Sequence, residues 1–271
     1  MSDNLYLTPV EMIEYASDTA EKKVKMPTRR TFLLAILAGM YIGFGGLLVV
    51  LVGAGTAALP YGLIKLLMGL VFSIGLILVV IGGGELFTGS TMVVLAGVNK
   101  KITWAKVFKN WGLVYLGNFV GAIILAVLVL LSKQYQLGGG LISESILKIA
   151  ASKLHYSFIA AIFMGVLCNI FVCLGVWLSY AAKSAGDKIL AIIFPITAFV
   201  ALGFEHSVAN MYLLSSAWLI KLFDPAAAAL YSGSSLITLY NIVVVNLIPV
   251  TIGNIIGGLF VWLMYHFAYK K

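Results

Sequence analysis

The chain has 271 residues, of which 62% are hydrophobic and 10% are charged, and its net charge is +8. Soluble domains carry about 25% charged residues, so this composition excludes a soluble enzyme and predicts an integral membrane protein. The basic residues flank apolar segments instead of forming one patch, so the net charge indicates membrane topology and not nucleic-acid binding.

Residues 1–30 are predicted to form a cytoplasmic, amphipathic N-terminal segment that precedes the membrane domain. A helix is predicted over 8–26, where Thr8 is suited to cap the helix and Pro9 to occupy its first turn. Pro27 then ends the helix, because proline interrupts the backbone hydrogen bonds. The segment shows no signal-peptide pattern.

Six apolar spans predict a transmembrane channel domain over 31–268, with 269–271 as a cytoplasmic C-terminus. Each span exceeds the roughly 20 residues needed to cross the hydrocarbon. The spans are 31–55, 65–98, 107–131, 157–182, 189–222 and 236–268. Thirteen of the 18 lysines and arginines lie on the side of the two termini. This bias predicts a multi-pass protein of the inner (plasma) membrane with both termini in the cytoplasm.

The second and fifth spans are predicted to be broken near their middles. GGGELFTGS at 82–90 and LGFEHSVAN at 202–210 place glycines and polar residues at membrane depth. Such interruptions are tolerated only where they are buried in protein or line an aqueous cavity. These two segments are therefore the candidate functional regions.

An internal repeat relates the two halves of the chain. NWGLVYLGNFVG at 110–121 resembles NLIPVTIGNIIG at 246–257, and each broken span is the second of three. Three spans per half place the halves in opposite orientations, and inverted repeats of this kind form a pore or binding site near the midplane. The predicted fold is therefore all-α, with six transmembrane helices in two inverted three-helix repeats.

Glu205 and His206 lie side by side in the second break. Ionisable side chains at this depth are costly and are usually functional, although a purely structural network is the alternative. We expect His206 to face the permeation path, because a histidine, with an ordinary pKa of about 6.5, exists with or without a proton at working pH. Glu205 is expected to be a structural residue that orients the imidazole.

The first break contains a second candidate pore residue, Thr88. Its hydroxyl is expected to donate a hydrogen bond into the path, while Leu86 and Phe87 are suited to close it. Glu85 is expected to have a structural role, in which it ties the backbone amides of the loop together.

Other residues of the spans have simpler interpretations. Considered alone, the apolar side chains of the broken spans are best explained by ordinary helix packing; they are Phe72, Leu76 and Phe199. Asn169 lies in the middle of the fourth span, where an amide needs hydrogen-bond partners. Lys153 lies just outside that span and is typical of an interfacial charge.

The sequence contains no motif for a cofactor or for catalysis. It has no glycine-rich loop that ends in Lys-Ser or Lys-Thr, and no His/Cys cluster suited to a metal. Cys168 and Cys173 share one apolar span and suit packing better than a disulfide. We therefore expect no enzyme activity, no cofactor, no metal and no nucleic-acid partner.

Several segments, in the right order and spacing, resemble the formate/nitrite transporter family. They are GLILVVIGGGELFTGS, NWGLVYLGNFVGA, GVLCNIFVCLGVWLSYAAKSAGDKI, ALGFEHSVANMY and IGNIIGG, and the similarity covers residues 8–268. The resemblance implies a homopentamer in the lipid bilayer with an aquaporin-like fold, in which each protomer contains its own pore.

The resemblance also implies roles for individual residues. It implies that Thr88 lies in the loop that interrupts the second helix and that His206 is the central histidine of the pore, with Glu205 as its neighbouring glutamate and Asn210 as another polar residue near it. It implies that Asn169 lines a central chamber and that Lys153 lies near an entrance to the pore. The two hydrophobic constrictions that it implies involve Phe72, Leu76, Phe87 and Phe199.

The expected function is a passive or proton-coupled channel for small monovalent weak-acid anions. Because a bare anion is expensive to desolvate, we expect His206, or a water that it orders, to protonate the anion between the constrictions. Formate is the leading substrate, and nitrite and hydrosulfide are alternatives. A channel for neutral solutes such as water or glycerol is a further alternative, and a non-transporting membrane scaffold is the third class.

Overall fold

The computed structural model describes residues 6–55, 59–229 and 231–269, and these residues are almost entirely helical. The α-helices are α1 Pro9–Lys25, α2 Thr28–Gly53, α3 Tyr61–Gly82, α4 Phe87–Ser90, α5 Val94–Val98, α6 Trp104–Leu131, α7 Leu141–Lys153, α8 Phe158–Ala181, α9 Ala185–Ala201, α10 Ser207–Phe223, α11 Pro225–Ala229 and α12 Ile248–Tyr269. The 3-10 turns are Thr91–Val93, Gln134–Gln136, Gly138–Gly140 and Ser232–Leu236, and a π-helical segment, Asn241–Leu247, leads into α12. Within the described ranges, β pairing is limited to one bridge between Tyr6 and Ala182.

Five helical segments of the described chain are long and apolar enough to cross a membrane. They are α2, α3, α6, α8 and the segment Asn241–Tyr269, which contains α12. The fifth predicted span differs, because it is divided between α9 and α10, each of 17 residues. The all-helical membrane fold is therefore confirmed, and the count of six crossings stays a prediction.

Both expected breaks are present, and a left-handed glycine lies at the start of each. Gly83, with φ of +79°, follows α3, and Gly203, with φ of +77°, lies two residues beyond α9. Glycine is favoured at such angles because it has no Cβ. The chain then stays non-helical until α4 begins at Phe87 and α10 begins at Ser207.

The predicted N-terminal helix is present as α1, which packs against α5 and the 3-10 turn that precedes it. Thr8 caps the helix: its hydroxyl accepts from the N–H of Glu11, and the Glu11 carboxylate accepts from the N–H of Thr8. This reciprocal pair satisfies two backbone donors at the helix start. Lys101, in the loop after α5, forms an ion pair with Glu21 at 3.1 Å and so connects α1 to the rest of the fold.

Small residues allow α2 to contact α6, and α8 to contact α12, at close range. A Cβ added at Gly121 on α6 would collide with the carbonyl oxygen of Ile36 on α2. Likewise, a Cβ added at Gly253 on α12 would collide with the carbonyl oxygen of Ile162 on α8. Small residues serve this purpose in many membrane helix contacts.

We expect Gly121→Ala to destabilise the protein by about 1–3 kcal/mol, because the added methyl group forces two well-packed helices apart. Gly112→Ala is the matched control, since it lies on the same helix and an added Cβ there meets no atom within 4 Å. Thermal unfolding in detergent measures the difference. Equal melting temperatures for the two variants would contradict the close approach of α2 and α6.

Candidate permeation pathway

The two breaks meet at a contact between Thr88 and His206. The Thr88 hydroxyl oxygen lies 2.9 Å from Nε2 of His206, and both side chains are buried. Nδ1 of His206 accepts from the N–H of Ala209 at 3.1 Å and thereby caps α10. A neutral imidazole has one donor and one acceptor nitrogen, so Nε2 carries the proton and donates to Thr88. The two residues that the sequence predicts to lie in the pore are thus in direct contact.

An asparagine on α6 holds the first break in place. Oδ1 of Asn118 accepts from the N–H of Phe87 at 2.8 Å. Its Nδ2 donates to the carbonyl oxygens of Glu85 and Ala35, at 2.8 Å each. These three bonds satisfy backbone groups that the interrupted helix leaves without partners at membrane depth.

An asparagine on α12 holds the second break with the same three kinds of bond. Oδ1 of Asn254 accepts from the N–H of Ser207 at 2.9 Å. Its Nδ2 donates to the carbonyl oxygens of Glu205, at 3.0 Å, and Gly165, at 2.8 Å. The two breaks are therefore built alike, and each is fixed to the helix that packs behind it.

A buried ion pair lies beside each break. Nζ of Lys23, on α1, is 2.7 Å from Oε1 of Glu85, and Nζ of Lys153, on α7, is 2.8 Å from Oε1 of Glu205. The two glutamate side chains are only 5% and 1% exposed. A buried carboxylate of this kind needs a partner charge and hydrogen bonds to remain ionised.

Glu205 binds two buried amides as well as Lys153, and its expected role in orienting the imidazole stays a prediction. Its Oε2 accepts from Nδ2 of Asn210 at 2.6 Å and from Nδ2 of Asn246 at 3.2 Å. Both ring nitrogens of His206 already have other partners, so Glu205 does not orient the imidazole through a direct hydrogen bond. It instead joins the Lys153 ion pair to two buried amides.

One cavity reaches each break. The first, which we call the α1 vestibule, has a volume of about 300 Å³, and Leu86 and Gly89 line it on either side of Thr88 in sequence. The second, the α7 vestibule, has a volume of about 140 Å³, and both His206 and Lys153 line it. The imidazole therefore borders the α7 vestibule, and it contacts Thr88, which lies in sequence between two residues that line the α1 vestibule, Leu86 and Gly89.

Apolar side chains line each vestibule close to this contact. Leu76 and Leu86 line the α1 vestibule, whereas Phe72 and Phe199 line the α7 vestibule. The two phenylalanine rings pack edge to face with centroids 5.7 Å apart, and the Phe199 ring lies 6.0 Å from the His206 ring. Four of the predicted constriction residues are thus distributed between the two cavities.

Three predicted pore residues, Thr88, Phe87 and Asn169, line neither of these two cavities. Phe87 packs its ring edge to face against Tyr115, with centroids 4.9 Å apart. Asn169 is fully buried, and its Nδ2 donates to the carbonyl oxygens of Asn254, at 2.5 Å, and Thr88, at 3.3 Å. The predicted roles of Phe87 in a constriction and of Asn169 in a chamber stay predictions.

Sequence reasoning missed Lys23, which it treated only as part of an amphipathic helix. The signal was available in the repeat, because Lys153 follows Lys23 by 130 positions and Glu205 follows Glu85 by 120. Extending the repeat to α1 and α7 would have paired the two lysines.

The site is suited to a small anion. Its central contact offers an imidazole N–H and a hydroxyl, and an anion such as a carboxylate accepts hydrogen bonds from both groups. Lysines in the vestibules provide positive charge, and the apolar walls disfavour any charged species that sheds its water. No group of three or more His, Cys, Asp or Glu side chains among the described residues could hold a metal ion.

The chain is similar to several known proteins over most of its length. The family model described as "Formate/nitrite transporter" matches residues 10–267. The formate channel FocA of Escherichia coli K12 is 40% identical over 271 residues, which cover 98% of this chain and 95% of that one. FocA of Haemophilus influenzae is 41% identical over 257 residues, which cover 93% of this chain and 90% of that one. A solved pentameric formate channel with formate bound superposes with a TM-score of 0.84 at 42% identity, covering 90% of this chain and 98% of that chain.

Proposed function

Since the chain belongs to the formate/nitrite transporter family, we propose that it is a multi-pass membrane channel for formate. The observation that carries this proposal is the 2.9 Å contact between Thr88 and His206, at the junction of two breaks that each border a lysine-containing vestibule. Relatives at 40% and 41% identity are formate channels, and their similarity extends over nearly the whole chain.

Formate enters a vestibule as an anion, where positive charge attracts it. The apolar side chains beyond the vestibule oppose passage of the bare anion. At the centre, the N–H of His206 and the Thr88 hydroxyl bind the carboxylate oxygens by hydrogen bonds. A hydronium ion from the vestibule then gives its proton to formate, which produces formic acid and water. The neutral acid crosses to the other vestibule and ionises there.

In this mechanism His206 positions the anion and the water that delivers the proton. Its Nδ1 is occupied by the N–H of Ala209, so the hydrogen bond to substrate comes from Nε2. If the proton crosses the membrane with formate, the flux is proton-coupled. If the proton returns to the side from which it came, only the anion is transported and the flux is passive.

Six crossings in two inverted repeats are part of the proposal. The matching hydrogen bonds of Asn118 and Asn254 support it. In this topology α9 and α10 together make the fifth crossing, both termini are cytoplasmic, and residues 31–268 form the channel domain. The protein assembles as a homopentamer with one pore in each protomer, and the solved formate channel that it resembles is likewise pentameric.

Nitrite is the second candidate substrate, because the family takes its name from nitrite as well as formate. Nitrite is also a small conjugate base of a weak acid, and it presents two oxygen acceptors to the same donors. Hydrosulfide shares the weak-acid chemistry but has no pair of oxygens for the two donors.

Proteoliposomes that contain the purified protein test the proposal. We expect a formate gradient to drive flux well above that of protein-free vesicles, and we expect this excess to rise as the external pH falls. Nitrite and hydrosulfide are compared on the same preparation, with glycerol as a neutral solute. Transport of glycerol but not formate would favour the neutral-solute alternative, and no transport of any solute would favour a scaffold.

A further inference from the structure

Three charged side chains line the α7 vestibule, and two of them neutralise each other. Lys153 and Glu205 are 2.8 Å apart, and their side chains are 16% and 1% exposed. Glu205 also accepts from Asn210 and Asn246, so both of its oxygens are engaged. Viewed from the vestibule, this pair is a fixed dipole with no net charge.

The third charge, Lys65 on α3, is not compensated in this way. Within the described residues, no carboxylate oxygen lies within 4 Å of its Nζ. Its Nζ lies over the ring of Tyr61, 5.5 Å from the centroid. The net positive charge of the α7 vestibule therefore resides on Lys65.

A net charge in a cleft with apolar walls attracts ions over a longer distance than a closed ion pair does, because the walls focus its field. Lysine is suited to this purpose, since its compact, strongly hydrated ammonium acts as a point charge on a flexible stem. A lysine ammonium does not bind an anion through the bidentate pair of hydrogen bonds that an arginine makes, so the anion is released more quickly.

We propose that Lys65, and not Lys153, is the residue that captures the anion in the α7 vestibule. Lys153 keeps the buried Glu205 carboxylate paired and fixes the wall beside His206. The inference rests on the proposed function, because it assigns the positioning of the substrate within the same pathway. It differs from the sequence-based expectation, which gave the entrance role to Lys153.

The test compares Lys65→Gln with Lys148→Gln in proteoliposomes. Lys148 is an exposed residue of α7 that does not line the vestibule, so its substitution removes the same charge from the same face of the protein. At about 20 mM ionic strength we expect Lys65→Gln to raise the formate KM by about 3- to 10-fold relative to Lys148→Gln. Flux at saturating formate should change by less than about twofold, because the central contact is intact.

Salt and two further variants separate capture from a structural effect. At about 0.5 M salt the difference should largely disappear, since screening then acts within a few ångströms. Lys65→Arg should keep the wild-type KM, and Lys65→Met should reproduce the shift of Lys65→Gln. The melting temperatures of the Lys65 variants should match that of Lys148→Gln.

Each outcome bears on one proposal or the other. If the wild type conducts formate and Lys65→Gln has the KM of Lys148→Gln, the role of Lys65 is wrong while the channel function stands. A KM shift that persists unchanged in high salt would also overturn the inference, because electrostatic capture cannot resist screening. Wild-type vesicles that pass no formate would instead overturn the proposed function.

Discussion

His206→Phe is expected to reduce formate flux by at least about tenfold and to remove its dependence on pH beyond that of protein-free vesicles. The substitution removes the N–H that lies 2.9 Å from the Thr88 hydroxyl, so formate loses a donor at the point where it must shed water. A lost donor of this kind in a dry site costs about 1–3 kcal/mol. Stopped-flow measurement of formate flux across a series of pH values provides the readout.

His206→Asn is the matched variant, because phenylalanine also removes the cap of α10. The ring nitrogen Nδ1 accepts from the N–H of Ala209, and loss of such a cap costs about 1 kcal/mol. Asparagine is a good capping residue but places no donor where Nε2 of His206 lies. This variant should therefore fold normally and conduct formate with a weakened pH response, because the anion and the hydronium ion are less well positioned. If both variants keep wild-type flux and pH response, the central role of His206 is wrong.

Asn254→Leu is expected to lower the stability of the folded protein by about 3 kcal/mol or more and to abolish formate flux. The amide makes three hydrogen bonds to backbone groups of Ser207, Glu205 and Gly165. Leucine is similar in size but leaves all three groups buried and unsatisfied, at about 1–3 kcal/mol each. Thermal unfolding in detergent and flux in proteoliposomes measure the two effects.

Two further variants test this prediction: Asn118→Leu is the equivalent substitution at the first break, and Asn241→Leu is the control. Asn118 makes the equivalent bonds at the first break, so its substitution should cause a loss of similar size. Asn241 is half-buried and its side chain donates to the carbonyl of Leu236, so its substitution should cost no more than about 1 kcal/mol. A melting temperature for Asn254→Leu equal to that of Asn241→Leu would show that the three hydrogen bonds of Asn254 do not hold the second break in place.

The breaks could be predicted from sequence because their cause is local. Gly83 and Gly203 adopt left-handed angles that other residues rarely adopt, and the polar residues after them cannot face lipid. The start of α1 is also local, since the bonds between Thr8 and Glu11 involve residues three apart. The sequence placed Thr88 and His206 in one pathway, but their direct contact is a finding of the structure.

The directions of side chains within the breaks could not be predicted in the same way. Phe87 and Leu86 are neighbours in sequence, yet Leu86 lines a vestibule and Phe87 packs against Tyr115. Non-helical backbone has no fixed period, so sequence spacing does not determine which side chain faces the cavity. The partner of Glu85 has no local signal either, because Lys23 lies 62 residues earlier on a separate helix, and only the internal repeat connects the two.

The hydrogen bond between His206 and the start of α10 has a consequence for how the imidazole handles charge. A second proton on the ring would occupy Nδ1 and leave it facing another donor, the N–H of Ala209. The imidazolium form therefore forms only if the first turn of α10 loosens or the ring rotates. Protonation of the ring and the first turn of α10 thus compete for the lone pair of Nδ1. At low pH the amide of Ala209 should therefore lose protection against hydrogen exchange, relative to the intrinsic exchange rate of a free amide at the same pH.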